Sequence, residues 1–146
     1  MRVTKSPDIE IRKAIIEALK LLSYSGKIVP VYDTMVPAND VPANYIIIST
    51  QTKVDSQTGK CGWEWDCTVL LDIVNRINIT GNPGNREAVN NIESMVISRM
   101  NGFTFKQGFE LLEDIQVESS DTLDNITATQ NVFRQLIRYR LLIAEA

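Results

Sequence analysis

The sequence contains no histidine. That absence removes imidazole acid–base catalysis, Ser-His and Cys-His nucleophile pairs, and every metal site that includes an imidazole. Cysteine is scarce: Cys61 and Cys67 are the only two. On one extended strand their Cα atoms would lie about 20 Å apart, at roughly 3.3 Å per residue. A disulfide needs them within about 7 Å. Gly62-Trp63-Glu64-Trp65-Asp66 offers no turn signal after its first residue. Two thiols also fall short of the four ligands of a closed zinc site. The expectation is two reduced, partly buried thiols in a cytosolic protein. No apolar run reaches the roughly 18 residues of a membrane-spanning helix. Behind Arg2 and Lys5 there is no apolar stretch, so no secretory signal is expected. The sequons Asn78-Ile79-Thr80 and Asn125-Ile126-Thr127 then carry no meaning. A basic excess is missing too: 15 Lys and Arg stand against 18 Asp and Glu, for a net charge of −3. A dedicated nucleic-acid binder would present a basic footprint.

What remains is an ordinary globular composition, 44% hydrophobic and 23% charged over 146 residues. That is the size of one domain, 1–146. Ser6 and Pro7 suit the start of a helix, and Asp8 and Glu10 favour its first turn. Ile11, Ala14, Ile15, Ala18, Leu19 and Leu22 recur at helical spacing, predicting an amphipathic helix over 7–22. Residues 28–32 read as an edge strand because of Pro30. Pro37 and Pro42 bracket a loop, and residues 44–52 read as a strand. Residues 54–60 are polar and read as a hairpin loop.

Residues 63–76 are the most informative. Trp63, Trp65, Cys67, Val69, Leu71 and Ile73 alternate with Glu64, Asp66, Thr68, Leu70, Asp72 and Val74. Period-two alternation over so many residues predicts a long, half-buried strand, longer than the usual five or six. Gly81 to Asn85 punctuates the chain. A second helix is predicted over 86–100, stopped by Asn101-Gly102. Residues 110–118 read as a strand, Ser119–Thr129 as a polar loop, and 130–143 as a final alternating strand. The implied fold is α+β: a mostly antiparallel twisted sheet of about 4–5 strands with two helices packed on one face.

Glu64, Asp66 and Asp72 share one face of the long strand, and Arg134, Arg138 and Arg140 share one face of the last. Clustered carboxylates can hold Mg²⁺ or move protons. They can equally face solvent, pair with these arginines inside one chain, or meet them across a subunit seam. The seam reading takes in Leu70, Val74, Leu136 and Leu142 as its apolar members. Gly81-Asn82-Pro83-Gly84-Asn85 lacks the Gly-Lys-Ser/Thr ending of a phosphate cradle and reads as a plain turn. Trp63 and Trp65 alternate with acids, which suits a core or interface better than base stacking. No catalytic or metal-binding constellation stands out.

In order, an amphipathic helix from Asp8 to Leu22 is followed by Val29-Pro30-Val31-Tyr32-Asp33. A Pro-bounded loop then leads to Asn44-Tyr45-Ile46-Ile47-Ile48. A long alternating strand and a second helix come next, and the chain closes on Arg134-Gln135-Leu136-Ile137-Arg138-Tyr139-Arg140. Over residues 8–143 this layout resembles the tail-completion or tail-terminator family of tailed bacteriophages. The resemblance implies a virion structural protein with no enzymatic step and no cofactor. Such a protein forms a homo-oligomeric ring, of six subunits or as second choice twelve, in the neck or at the tail end. Its partners would be other neck, connector or tail proteins. DNA would pass through the lumen without sequence-specific contact, no membrane would be involved, and assembly would take place in the host cytoplasm. The expected interface residues are Glu64, Asp66, Leu70, Asp72, Val74, Arg134, Leu136, Arg138 and Arg140. The alternative is a cytosolic binding or regulatory domain that dimerises through its long strand.

Overall fold

The computed structural model describes residues 5–37, 39, 41–56, 64–78, 84–127 and 129–146. Cys61, Trp63, Gly81-Asn82-Pro83, the end of the first sequon and residues 57–60 of the predicted 54–60 loop lie outside them, and residues 54–56 of that loop are strand instead.

Helix α1 spans Asp8–Ala18. The Asp8 N–H donates to Ser6 Oγ at 3.4 Å, and the first intrahelical bond runs from Ile11 N–H to the Pro7 carbonyl at 2.9 Å. The helix stops earlier than the predicted Leu22. Leu21 takes a left-handed φ of 59°, which breaks the helical path. That conformation costs a branched residue roughly 1–2 kcal/mol. Burial of Leu19 and Leu22 on either side, each 1% exposed, holds the turn in place. A small hairpin follows, β1 (Ser23–Tyr24) and β2 (Lys27–Ile28). Ser25 and Gly26 both sit at positive φ between them, the backbone a two-residue hairpin turn requires. Residues 28–32 are therefore not one strand. Pro30 separates β2 from β3 (Val31–Asp33), which lies parallel on the sheet edge with Val31 opposite Ile46.

The main sheet has six strands, more than expected, and is antiparallel apart from β3. Its order is β3, β4 (Asn44–Ser56), β5 (Glu64–Asn78), β8 (Gln130–Glu145), with β6 (Phe109–Leu111) and β7 (Gln116–Ile126) both on the far edge of β8. β5 and β8 pair without interruption from Glu64↔Ala144 to Asn78↔Gln130. At roughly 3.3 Å per residue β5 is about 50 Å long. The predicted loop Ser119–Thr129 is largely strand: β7 runs to Ile126, and a tight link closes it onto β8. There Thr127 N–H donates to the Gln130 carbonyl at 2.9 Å, and Gln130 N–H donates to Thr127 Oγ1 at 2.9 Å. Nearly every β7 residue is exposed, so it has no apolar alternation to betray it. The predicted strand 110–118 is two strands, interrupted at 112–115.

Helix α2 spans Glu87–Met100. Asn85 Oδ1 accepts the Glu87 N–H at 2.9 Å, and Gly84, at φ 74°, turns the chain into it. Both helices cover the same sheet face. Ile11, Ile15 and Leu19 of the α1 segment join Val89, Ile92 and Val96 of α2 in one cluster with Val69, Leu71, Ile73, Ile137, Leu141 and Ile143. Among the described residues no helix is long and apolar enough to cross a membrane.

Candidate interaction face

The pleat of a strand sends alternate side chains to opposite faces. Odd-numbered residues of β5 and β8 point under the helices; even-numbered ones form a second face that no described element covers. Because the β5–β8 register pairs even with even, all nine residues expected at an interface meet on that face. Asp66 stands opposite Leu142, Leu70 opposite Arg138, Asp72 opposite Leu136, Val74 opposite Arg134, and Glu64 opposite Ala144.

The arginines reach one register step along the strand, each in the same direction. Arg140 Nε and Nη2 donate to the two oxygens of Asp66 at 2.9 and 2.7 Å. Arg134 Nε donates to Asp72 Oδ1 at 3.2 Å, and its Nη2 to Asp72 Oδ2. Arg138 meets a hydroxyl instead, Thr68 Oγ1 at 3.4 Å. Two of the three arginines thus pair inside the chain. Asp72 is buried by this packing, whereas Asp66 and Arg140 remain partly in water. Along β5, Asp66 and Asp72 lie about 20 Å apart at roughly 3.3 Å per residue. Each is held by its own arginine, which gives them separate structural roles.

Sequence reasoning missed several members of the face. Tyr45, Ile47 and Thr52 come from β4, with Ile47 opposite Asp72 and Thr52 opposite Thr68. A register shift between Ile48 and Gln51 swaps the faces of β4. Gln51 and Lys53 therefore turn towards α1, where both bond Asp8, at 3.2 and 2.7 Å. The Lys53 ammonium also lies 5.8 Å from the Trp65 ring centre. β7 adds Asp121, Leu123 and Asn125, opposite Leu136, Arg134 and Val132. A signal for the β4 members was present in the Tyr45-Ile46-Ile47-Ile48 run; none existed for β7.

Electrostatics follow the pairing. The Arg140 hydrogen bonds hold Asp66 below the ordinary carboxylate range, against a smaller opposing effect of burial. Bonding to Asp72 raises Arg134, and bonding to Asp66 raises Arg140. Burial pushes the Tyr45 phenol up. Because the folded-state pKa of Asp66 is depressed, its stabilisation is present above the ordinary carboxylate pKa and lost as pH falls through the folded value. The stability advantage of the wild-type chain over Asp66→Asn should therefore shrink below about pH 4. Denaturant unfolding of both chains at several pH values checks this; a constant difference would show that Asp66 gains nothing from Arg140.

On the helix side, burial drives the Cys67 thiol up to about 12. In a Cys61→Ser background, Cys67 should resist thiol reagents at about pH 8 until the chain unfolds. Rapid labelling of the native chain would contradict its placement in the core. Tyr139, also pushed up to about 12 by burial, has a hydroxyl with no hydrogen-bond partner among the described residues. Among those residues no group of three or more Cys, Asp or Glu side chains converges as a metal site.

No protein-family model matches the sequence, and no curated protein matches it. Among solved structures, the chain superposes on one from the virion of a native gene transfer agent particle, with a TM-score of 0.71. The alignment covers 98% of this chain and 100% of that one at 15% sequence identity. Such a match establishes a shared fold from end to end.

Proposed function

We propose that the protein is a structural component of a phage-like virion, with no enzymatic step of its own. It closes into a homo-oligomeric ring in the neck or at the tail end, joining head to tail or terminating the tail tube. The observation that carries this reading is the end-to-end likeness to a chain of a gene transfer agent virion. Six subunits is the first expectation and twelve the second. Other neck, connector or tail proteins would sit above and below, and DNA would pass through the lumen without sequence-specific contact.

The uncovered sheet face supplies the subunit contact in this proposal. It is built from Glu64, Asp66, Leu70, Asp72, Val74, Arg134, Leu136, Arg138 and Arg140. Exposed ion pairs contribute only about 0–1 kcal/mol each, so they set register. The half-buried Leu70 and Leu136 drive association, at about 25 cal/mol per Å² removed from water, while Val74, 3% exposed, is already buried within the chain. A ring contact of ordinary size buries on the order of 800 Å² per partner. Repeated around a closed ring, that makes a rigid collar from a small subunit.

Electron microscopy of the purified chain tests the proposal. Rings or short tubes of uniform diameter are expected. Compact dimers would favour a domain that associates through its long strand and would end the ring reading.

A further inference from the structure

β4 pairs with β5 in two frames. The first frame ends at Ile48↔Leu71, and the second, displaced by one residue, starts at Gln51↔Val69. Ser49 and Thr50 together take the place opposite Leu70, which makes a β-bulge. The bulge works against the side-chain pattern. Ile48, Thr50, Thr52 and Val54 are β-branched and alternate with Ser49, Gln51, Lys53 and Asp55. One unbroken frame would put all the branched side chains under the helices and the polar ones on the uncovered face. The observed frame does the reverse beyond the bulge. Val54 is 64% exposed, opposite Asp66 on the uncovered face. Gln51 turns inward, and its Oε1 is buried with no hydrogen-bond partner among the described residues.

What offsets this comes from the first turns of α1. Asp8 accepts from both Gln51 and Lys53, and Lys53 also donates to Ser6 Oγ at 2.7 Å. Arg12 acts on the bulge itself. Its Nη1 donates to the Ile48 carbonyl at 3.4 Å and its Nη2 to the Ser49 carbonyl at 3.2 Å. Consecutive carbonyls of a regular strand point to opposite sides, so one guanidinium reaches both only where the strand is bulged. Asp33 pairs with the same guanidinium and holds it in place.

We propose that β4 beyond Ile48 has two registers, and that Asp8 and Arg12 latch it in the bulged one. Released, this half of the strand slides by one residue and the bulge disappears. Thr50, Thr52 and Val54 then stand opposite Val69, Cys67 and Trp65, under the helices. Gln51 and Lys53 come to the uncovered face, opposite Thr68 and Asp66. A one-residue slip turns every side chain of the sliding half over. It exchanges Val54 for Lys53 beside Asp66, so α1 sets whether that end of the face is apolar or cationic. The device belongs to a single chain and does not rest on the ring reading.

Arg12→Met together with Asp8→Asn opens the latch in the full-length chain. Nuclear magnetic resonance should then show cross-relaxation between the Val54 methyls and the Trp65 ring, which the wild-type chain should lack. A disulfide trap reads the register independently. The Thr52 and Thr68 Oγ1 atoms lie 2.5 Å apart, so cysteines at both positions are placed to bridge. In a Cys61→Ser background, Thr52→Cys with Thr68→Cys should give the bridge between positions 52 and 68 while the latch is intact. Opening the latch should move the bridge to positions 52 and 67. The ratio of the first bridge to the second should fall about tenfold or more, the factor that losing one hydrogen bond to a charged group brings. An unlatched chain that folds, lacks the Val54–Trp65 contact and keeps the ratio unchanged overturns the proposal. So does a Val54–Trp65 contact of equal strength in the wild-type chain, because α1 would then select nothing. Should the doubly changed chain fail to fold, Asp8→Asn alone leaves Arg12 on Asp33. The ratio should then fall by less, and no fall at all refutes the latch.

Discussion

Ile137→Ala should lower the unfolding free energy by about 2–5 kcal/mol, the range for emptying a fully buried branched site. Ile137 is 0% exposed and sits opposite Leu71, also 0% exposed, on the two central strands. β5 and β7 flank it, and the helices close over it. The cavity left behind has paired strands on both sides and little freedom to collapse, so the upper half of the range is expected. Leu123→Ala, at a site 49% exposed, should change stability by less than about 0.5 kcal/mol. Urea unfolding of the two variants checks both. A small loss at Ile137 would mean that the helices do not cover this face.

The second large effect is at the Asp72–Arg134 pair. Asp72 retains 5% of its side-chain surface in water and Arg134 retains 34%. Removing the cation strands a carboxylate that packing keeps from solvent. Arg134→Met should therefore cost about 2–4 kcal/mol, somewhat below the loss on breaking a fully buried pair. Changing Asp72→Leu in the same chain should recover most of that loss, because no uncompensated charge remains. Arg140→Met should cost far less, since Arg140 and Asp66 both reach water. Full additivity of Arg134→Met and Asp72→Leu would show that the two side chains do not interact.

These expectations mark how much could be read from the chain itself. The alternation from Trp65 to Ile73 and from Phe133 to Ile143 gave both central strands and the correct division of their faces. With the strands adjacent, even positions of one must meet even positions of the other. The nine residues of the candidate face were thus legible in advance. So was the attraction between their charges, with pairing inside one chain among the readings it allowed, as Asp66 and Asp72 show. Helix α1 was overrun because Leu22 keeps the apolar spacing although Leu21 has already left the helix. β7 was invisible for a physical reason: an edge strand exposed on both faces has no apolar face to repeat. Its pairing is backbone chemistry, which side-chain patterning does not record. The split between β6 and β7 was hidden in the same way, since Leu111, Leu112, Ile115 and Val117 look continuous in the sequence.

The proposed ring would set a further physical demand on these features. In such a ring a subunit of this size would bury little surface in any single contact, and strength would come from closure. The long β5–β8 ribbon provides a stiff platform, and the internal Arg–Asp pairs fix the side chains that border the apolar patch. Preorganised side chains lose less freedom on association.

Native mass spectrometry of the wild-type chain across a concentration series tests the central claim most directly. The expected result is one closed species, of six subunits or of twelve, appearing at the expense of monomer without a ladder of larger assemblies. A monomer or a compact dimer at every concentration would contradict it.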